Sequence, residues 1–314
     1  FDLGSGVDSA IRTGQADGAN SFHHLTILLN SSSNTLHLRP NAGTAMTIEG
    51  NLTVQEGKFY KYNDNYVLTV TGDVSVESGG ELGLSSANVN YNFGSLTIAS
   101  GGTFVATSAT TTITGEAGSG YAVEFSGTYT HNSGTLKITT DANTFVKTND
   151  KAYHLIIEAA TSTRVYEWVN NTTVQGDLTV NAGRFTHYSS SYTLTVTGGV
   201  TTTSGGNLDC GSTTVSMNSL TNEGTFVASS GTTTINVDIR NRTGATFTHS
   251  GGTVNIPTGA TYFIHNTGTY STITFHNLTY TGVNCYLVKS INVEGTFSNT
   301  SGYIRLTSNA KITL

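Results

Sequence analysis

The chain has 314 residues, of which 11% are charged, with a formal net charge of −6 and 2 Pro against 36 Gly. Its 14 Lys and Arg are scattered, which excludes the basic patch that a nucleic-acid backbone demands. No apolar run approaches the roughly 20 residues of a membrane helix, and 36% hydrophobic residues exclude a disordered chain.

Residues 1–21 read as an N-terminal cap or an inter-subunit contact segment. A seam follows at Phe22-His23-His24-Leu25-Thr26-Ile27. Next comes a short unit, Gly50-Asn51-Leu52-Thr53-Val54, which returns as Gly72-Asp73-Val74-Ser75-Val76 and as Gly94-Ser95-Leu96-Thr97-Ile98. These returns set a period of about 22 residues, in the range of solenoid repeats. A turn signal follows each unit, at Glu56-Gly57, Ser78-Gly79-Gly80 and Ser100-Gly101-Gly102, and then an apolar residue, Phe59, Leu82 or Phe104. The unit reappears at Gly176-Asp177-Leu178-Thr179-Val180 and Gly198-Gly199-Val200-Thr201-Thr202.

A longer repeat contains the short one. Gly50 to Gly176 is an offset of 126, Gly102-Thr103-Phe104-Val105-Ala106 returns at Gly224 with an offset of 122, and Thr128-Tyr129-Thr130-His131 returns at Thr246 with an offset of 118. Long copies therefore run from 22 to 152 and from 153 to 274, with a partial third from 275 to 314. Related seams open the later copies, at Tyr153-His154-Leu155 and at Phe275-His276-Asn277-Leu278. Toward the C-terminus, Tyr303-Ile304-Arg305-Leu306-Thr307 and Lys311-Ile312-Thr313-Leu314 read as strand with no capping segment.

Apolar residues alternate with Thr or Ser in these units, so one face of each strand is apolar and the other hydroxylated. So short a unit cannot close its own core; stacking many of them makes a continuous one. The fold class expected is all-β: a single-stranded parallel β-helix, or β-solenoid, filling 22–314. Tandem sandwiches are disfavoured, because sandwich strands differ from one another and need not hold a constant phase.

The Gly-Asn/Asp-Leu-Thr-Val-x-x-Gly units and the Gly-Thr-Phe and Thr-Thr-Thr-Ile stretches resemble the right-handed parallel β-helix regions of large bacterial and archaeal surface proteins and adhesins. The resemblance spans roughly residues 22–314. It implies extracellular or cell-surface display, adhesion or fibre formation, and it brings no catalytic residues.

Candidate sites are few. His24, His154 and His276 recur at one phase of the long repeat, and His131, His187 and His249 follow a Tyr/Phe-Thr pair. Copies of the first set lie several coils apart, too far for one ion, so structural roles are expected, with no metal and no cofactor. The acids Asp73, Glu77, Glu81, Asp177 and Asp209 are weighed as a glycosidase pair, which needs two carboxyls ~5–10 Å apart, and are read as turn residues because the copies do not preserve them. Tyr60, Tyr62, Tyr66, Tyr188 and Tyr192, with Trp168, are the candidate contacts for a glycan or protein partner, since exposed rings stack on sugars and seat partners. Asn30, Asn51, Asn170, Asn171, Asn241, Asn277 and Asn299 head Asn-x-Ser/Thr sequons and are candidate glycosylation sites. Cys210 and Cys285 read as buried core thiols, with one disulfide as the alternative.

The function expected is that of an extracellular structural protein, not an enzyme: a surface fibre or adhesin subunit that assembles head to tail. The alternatives are a glycan-binding or glycan-cleaving β-helix of the tailspike kind and a passive stalk excerpted from a larger surface protein. The partners expected are further copies of the chain and surface glycans.

Overall fold

The computed structural model describes residues 9–13, 21–40, 45–61, 66–83, 88–149, 151–257, 262–264, 270–307 and 309–314, and no helix occurs among them. The chain forms two compact units, Phe1–His154 and Leu155–Leu314. Each is a parallel β-solenoid whose coil lays one strand on each of three columns.

In the first unit, one column runs through Leu25–Leu28, Leu52–Val54, Val74–Val76, Leu96–Ile98 and Val123–Phe125. A second runs through Ser9–Thr13, Thr35–Pro40, Lys58–Tyr60, Gly80–Gly83, Thr103–Val105 and Thr128–Thr130. The third holds Met46–Ile48, Leu68–Val70, Tyr91–Phe93, Thr111–Ile113 and Leu136–Ile138. Of the segment 1–21 expected to form a cap or an inter-subunit contact, Ser9–Thr13 is a strand in register with Leu36–Pro40; most of the rest lies outside the described residues.

The second unit repeats this plan. Its first column runs Leu155–Ile157, Leu178–Val180, Val200–Thr202, Leu220–Asn222 and Ile239–Asn241. The second runs Val165–Trp168, Arg184–His187, Asn207–Asp209, Thr225–Val227 and Thr246–Thr248, and Ile273–Phe275 pairs with Ile291–Val293 and that with Ile312–Thr313. The third begins at Thr172–Val174 and reaches Leu278–Tyr280 and Phe297–Asn299.

The coil is elastic about its mean period. It is short where Leu220 pairs with Ile239 and long where Leu25 pairs with Leu52. Strands keep their phase because a one-residue slip would turn every core side chain outward, so insertions collect in loops such as Asn30–Asn34. Inside each coil the alternation becomes burial: Leu52, Val74 and Leu96 are fully buried in register while Thr53, Ser75 and Thr97 face outward. Burying each such Leu or Val contributes about 1.5–3 kcal/mol.

The glycine that opens each unit is a corner, and Asn51 and Asp177 show what an Asx beside it does. The Asn51 carboxamide oxygen accepts the Asp73 N–H at 3.0 Å one coil on, and the Asp177 carboxylate accepts the Gly199 N–H at 2.8 Å. Gly72 donates its N–H to the Gly50 carbonyl at 3.1 Å, and Gly198 to Gly176 at 2.9 Å. No side chain fits there, since a Cβ on Gly72 would stand 2.2 Å from the Asn51 oxygen. The following turn needs a left-handed residue, supplied by Gly57, Gly79, Gly101 and Gly183 with φ of 83° to 88°.

Polar side chains also enter the core as a ladder. The Thr202 hydroxyl donates to the Asn222 carboxamide oxygen at 2.5 Å, and the Asn222 amide donates to Asn241 at 2.6 Å and to the Thr246 carbonyl at 2.8 Å. Thr202 and Asn222 are fully buried and Asn241 nearly so, so each bond replaces one that water would otherwise make.

Two substitutions test this construction. A Cβ on Gly206 would lie 1.8 Å from the Val180 carbonyl oxygen, so Gly206→Ala should lower the urea midpoint by the equivalent of about 1–3 kcal/mol. Gly118→Ala, at a site with nothing within 4 Å, should leave it unchanged. Asn222→Ala should cost about 1–3 kcal/mol by orphaning its buried partners, with faster amide exchange in Leu220–Asn222 and Ile239–Asn241.

Candidate functional site

The aromatic candidates divide by strand alternation. Val165-Tyr166-Glu167-Trp168 is a strand whose second and fourth residues point inward, so Trp168 is fully buried, its ring edge-on to Phe185 at 4.9 Å. It cannot meet a glycan, and the alternation around Glu167 was the signal for this. Tyr66 is also in the core. Its hydroxyl donates to the Leu38 carbonyl at 3.0 Å, and the buried Lys61 ammonium lies 4.4 Å from its ring and donates to the Tyr91 hydroxyl at 3.1 Å. Burial pushes the Tyr66 phenol above its ordinary range, so it stays neutral.

Tyr60 is half-buried. Its ring lies across Gly83, where a Cβ would stand 2.1 Å from it. Its hydroxyl donates to Glu81, which Lys58 approaches to 3.3 Å. Burial first, and then that bond to Glu81, raise the Tyr60 phenol. Tyr188 is 62% exposed and Tyr192 half-buried. Tyr62 lies outside the described residues. Tyr188 is therefore the most exposed ring of the described set.

The acids hold the coil itself, within one coil at Glu77 and between coils at Asp73 and Asp209. Asp73 accepts the Ser95 hydroxyl at 2.7 Å, Glu77 accepts that of Ser75, and Asp209 holds Arg184 at 2.5 Å and the Gly211 N–H at 2.9 Å. Sequon asparagines do the same: Asn171 accepts the Thr193 N–H at 3.0 Å and Asn277 that of Thr296 at 2.8 Å. Asn30, Asn51, Asn171 and Asn299 are exposed, and Asn170 and Asn277 half-buried. Asn241 is 2% exposed inside the polar ladder, where a glycan has no room, so it leaves the list of acceptors.

The histidines fall into a different alignment from the one their sequence phase suggests. Leu25, Leu155 and Leu278 each begin the register with the next coil, which places His23, Tyr153 and His276 at one position and His24, His154 and Asn277 at the next. The second position is again a corner: the His24 Nδ1 accepts the Asn51 N–H at 2.9 Å as Asn277 accepts Thr296. At the first position, the Tyr153 ring stacks on His131 at 5.0 Å, and the His276 ring on His249 at 5.7 Å. The two histidine sets read separately in the sequence thus meet in one place.

There His249 Nε2 lies 3.2 Å from a Glu294 carboxylate oxygen. His249, His276 and Glu294 are the one group of three or more His, Cys, Asp or Glu among the described residues whose donor atoms all lie within 4.8 Å of each other. Both imidazoles are half-buried and Glu294 is exposed. Sequence spacing hid the trio, since 249, 276 and 294 are brought together only by the unequal lengths of successive coils.

Cys210 and Cys285 are free and buried. Burial first, then the nearby Asp209, push the Cys210 thiol up; burial also raises that of Cys285. Neither should react with a maleimide in native buffer, and both should react fully in denaturant, as counted by mass spectrometry.

Comparison with protein-family models, with curated proteins and with solved structures finds no match. The class that the fold defines is the repeat-built parallel β-solenoid. No helix among the described residues is long and apolar enough to cross a membrane.

Proposed function

We propose that this chain is a structural segment of an extracellular or cell-surface protein, a fibre or adhesin subunit whose coils stack end to end with those of a second copy. The observation that carries this reading is where the repeated polar residues go. Asn51, Asp73, Asn171, Asp177 and Asn277 each bond to the next coil, so the motif that the sequence repeats is a device for adding coils. Rows of outward Thr and Ser carry little charge, which suits an extended surface exposed to proteases.

The surface that a neighbour would meet is the strand Ile304–Leu306. It pairs on one side with Cys285–Leu287, and Leu306 is 51% exposed where Leu287 is fully buried. In this reading a parallel strand from a second copy covers Leu306. Electron microscopy of the purified chain at rising concentration is the test. Filaments should form, and Leu306→Lys should suppress them; dispersed monomers at every concentration would refute the assembly.

A second reading, glycan binding, has Tyr188 in its favour as the exposed ring among the candidates. A glycan array that detects a ligand whose binding is lost in Tyr188→Ala, with assembly unchanged, would favour it.

A further inference from the structure

We propose that His249, His276 and Glu294 form a binding site for a divalent transition-metal ion of the zinc class, which rivets three successive coils. His249 directly follows the strand Thr246–Thr248, His276 follows Ile273–Phe275, and Glu294 follows Ile291–Val293. These strands lie on one edge of the solenoid: Phe247 and Phe275 touch with ring centres 5.4 Å apart, and Ile273–Phe275 pairs with Ile291–Val293. The backbone there is fixed by two bonds, from the Glu294 N–H to the Phe275 carbonyl at 3.0 Å and from the Gly295 N–H to the His276 carbonyl at 2.8 Å.

The distances suit an ion. Two ligands on one tetrahedral zinc, with bonds of about 2.0–2.1 Å, stand about 3.3–3.5 Å apart. His249 Nε2 and Glu294 are already 3.2 Å apart, and a side-chain rotation closes the remaining gap to His276, since no pair of donors exceeds 4.8 Å. Two imidazoles and one carboxylate are a borderline donor set that selects zinc-class ions over magnesium, which prefers oxygen alone. Glu294 is exposed, so water can fill the fourth position.

The corner that opens the second copy of the long repeat supplies an internal contrast. In sequence, the positions that correspond to His249, His276 and Glu294 hold His131, Tyr153 and Gln175. That set has one imidazole, a phenol and a carboxamide, which is a poor ligand set. The first copy keeps His23 and Glu49 at the latter two positions, with the Glu49 N–H bonded to the Phe22 carbonyl at 2.7 Å. The start of the third copy has the ligating set in full.

Binding has a structural consequence. The His249 Nδ1 accepts the Gly251 N–H at 3.1 Å, so in the metal-free neutral ring the proton sits on Nε2 and points at Glu294. When a metal takes Nε2, that proton moves to Nδ1 and the Gly251 N–H loses its acceptor. Gly251 lies in a tight turn with φ of 79° after Ser250 at 50°, and its amide reports the event.

The experiment is calorimetric titration of the full, metal-stripped chain with Zn²⁺, with Mg²⁺ as control. The expected result is one Zn²⁺ per chain, no heat from Mg²⁺, and faster hydrogen exchange at the Gly251 amide in the loaded protein. His276→Tyr and Glu294→Gln install the side chains that the second-copy corner carries, so the corner should still fold, as circular dichroism would verify. Each should weaken Zn²⁺ binding by about tenfold or more. Absence of Zn²⁺ binding, or binding unchanged in both folded variants, would overturn the proposal.

Discussion

The structure depends on one close approach, that of coil upon coil at the glycine corner. Main-chain groups of neighbouring coils bond directly there, from Gly72 to Gly50 and from Gly198 to Gly176, and a Cβ would force them apart. Parallel strands can bond only if every corner lets the next coil sit at strand spacing. Asn51 beside Gly50 and Asp177 beside Gly176 then reach across and tie down the next N–H. Glycine makes room and the carboxamide or carboxylate fixes the register. Everything else, the apolar columns within and the hydroxyl rows without, is stacked by this step.

A scaffold of this kind separates stability from function. The core positions Leu52, Val74 and Leu96 are interchangeable in kind, and so are Phe185, Leu208 and Phe226, because each sees only the rungs above and below it. Outward positions are free to vary once the corner is made. In sequence, one set of corresponding positions reads His-Tyr-Gln at the start of the second copy and His-His-Glu at the start of the third.

Much was legible in the sequence because the coil is nearly local. The regular return of Gly-Asx-Leu-Thr-Val specified parallel stacking, and the alternation in Leu52-Thr53-Val54 specified which face is buried. Trp168 shows the same rule neglected: as an aromatic in isolation it suggests a binding ring, but as the fourth residue of an alternating strand it belongs to the core. Tyr66 carried the same signal, since it stands two residues before Leu68 and four before Val70, in phase with the inward positions of that strand.

What the sequence determined by itself is the all-β class, the coil period and the inward and outward faces, since each follows from spacing along a single strand and its next return. Only the tertiary structure decided which residues on different coils face one another. Loops of unequal length shorten the coil from Leu220 to Ile239 and lengthen the one from Leu25 to Leu52, so vertical neighbours cannot be counted off at a fixed interval. That is why His276 proved to share its position with His23 and Tyr153, why Asn241 lies inside a polar ladder, and why His249, His276 and Glu294 meet at one corner.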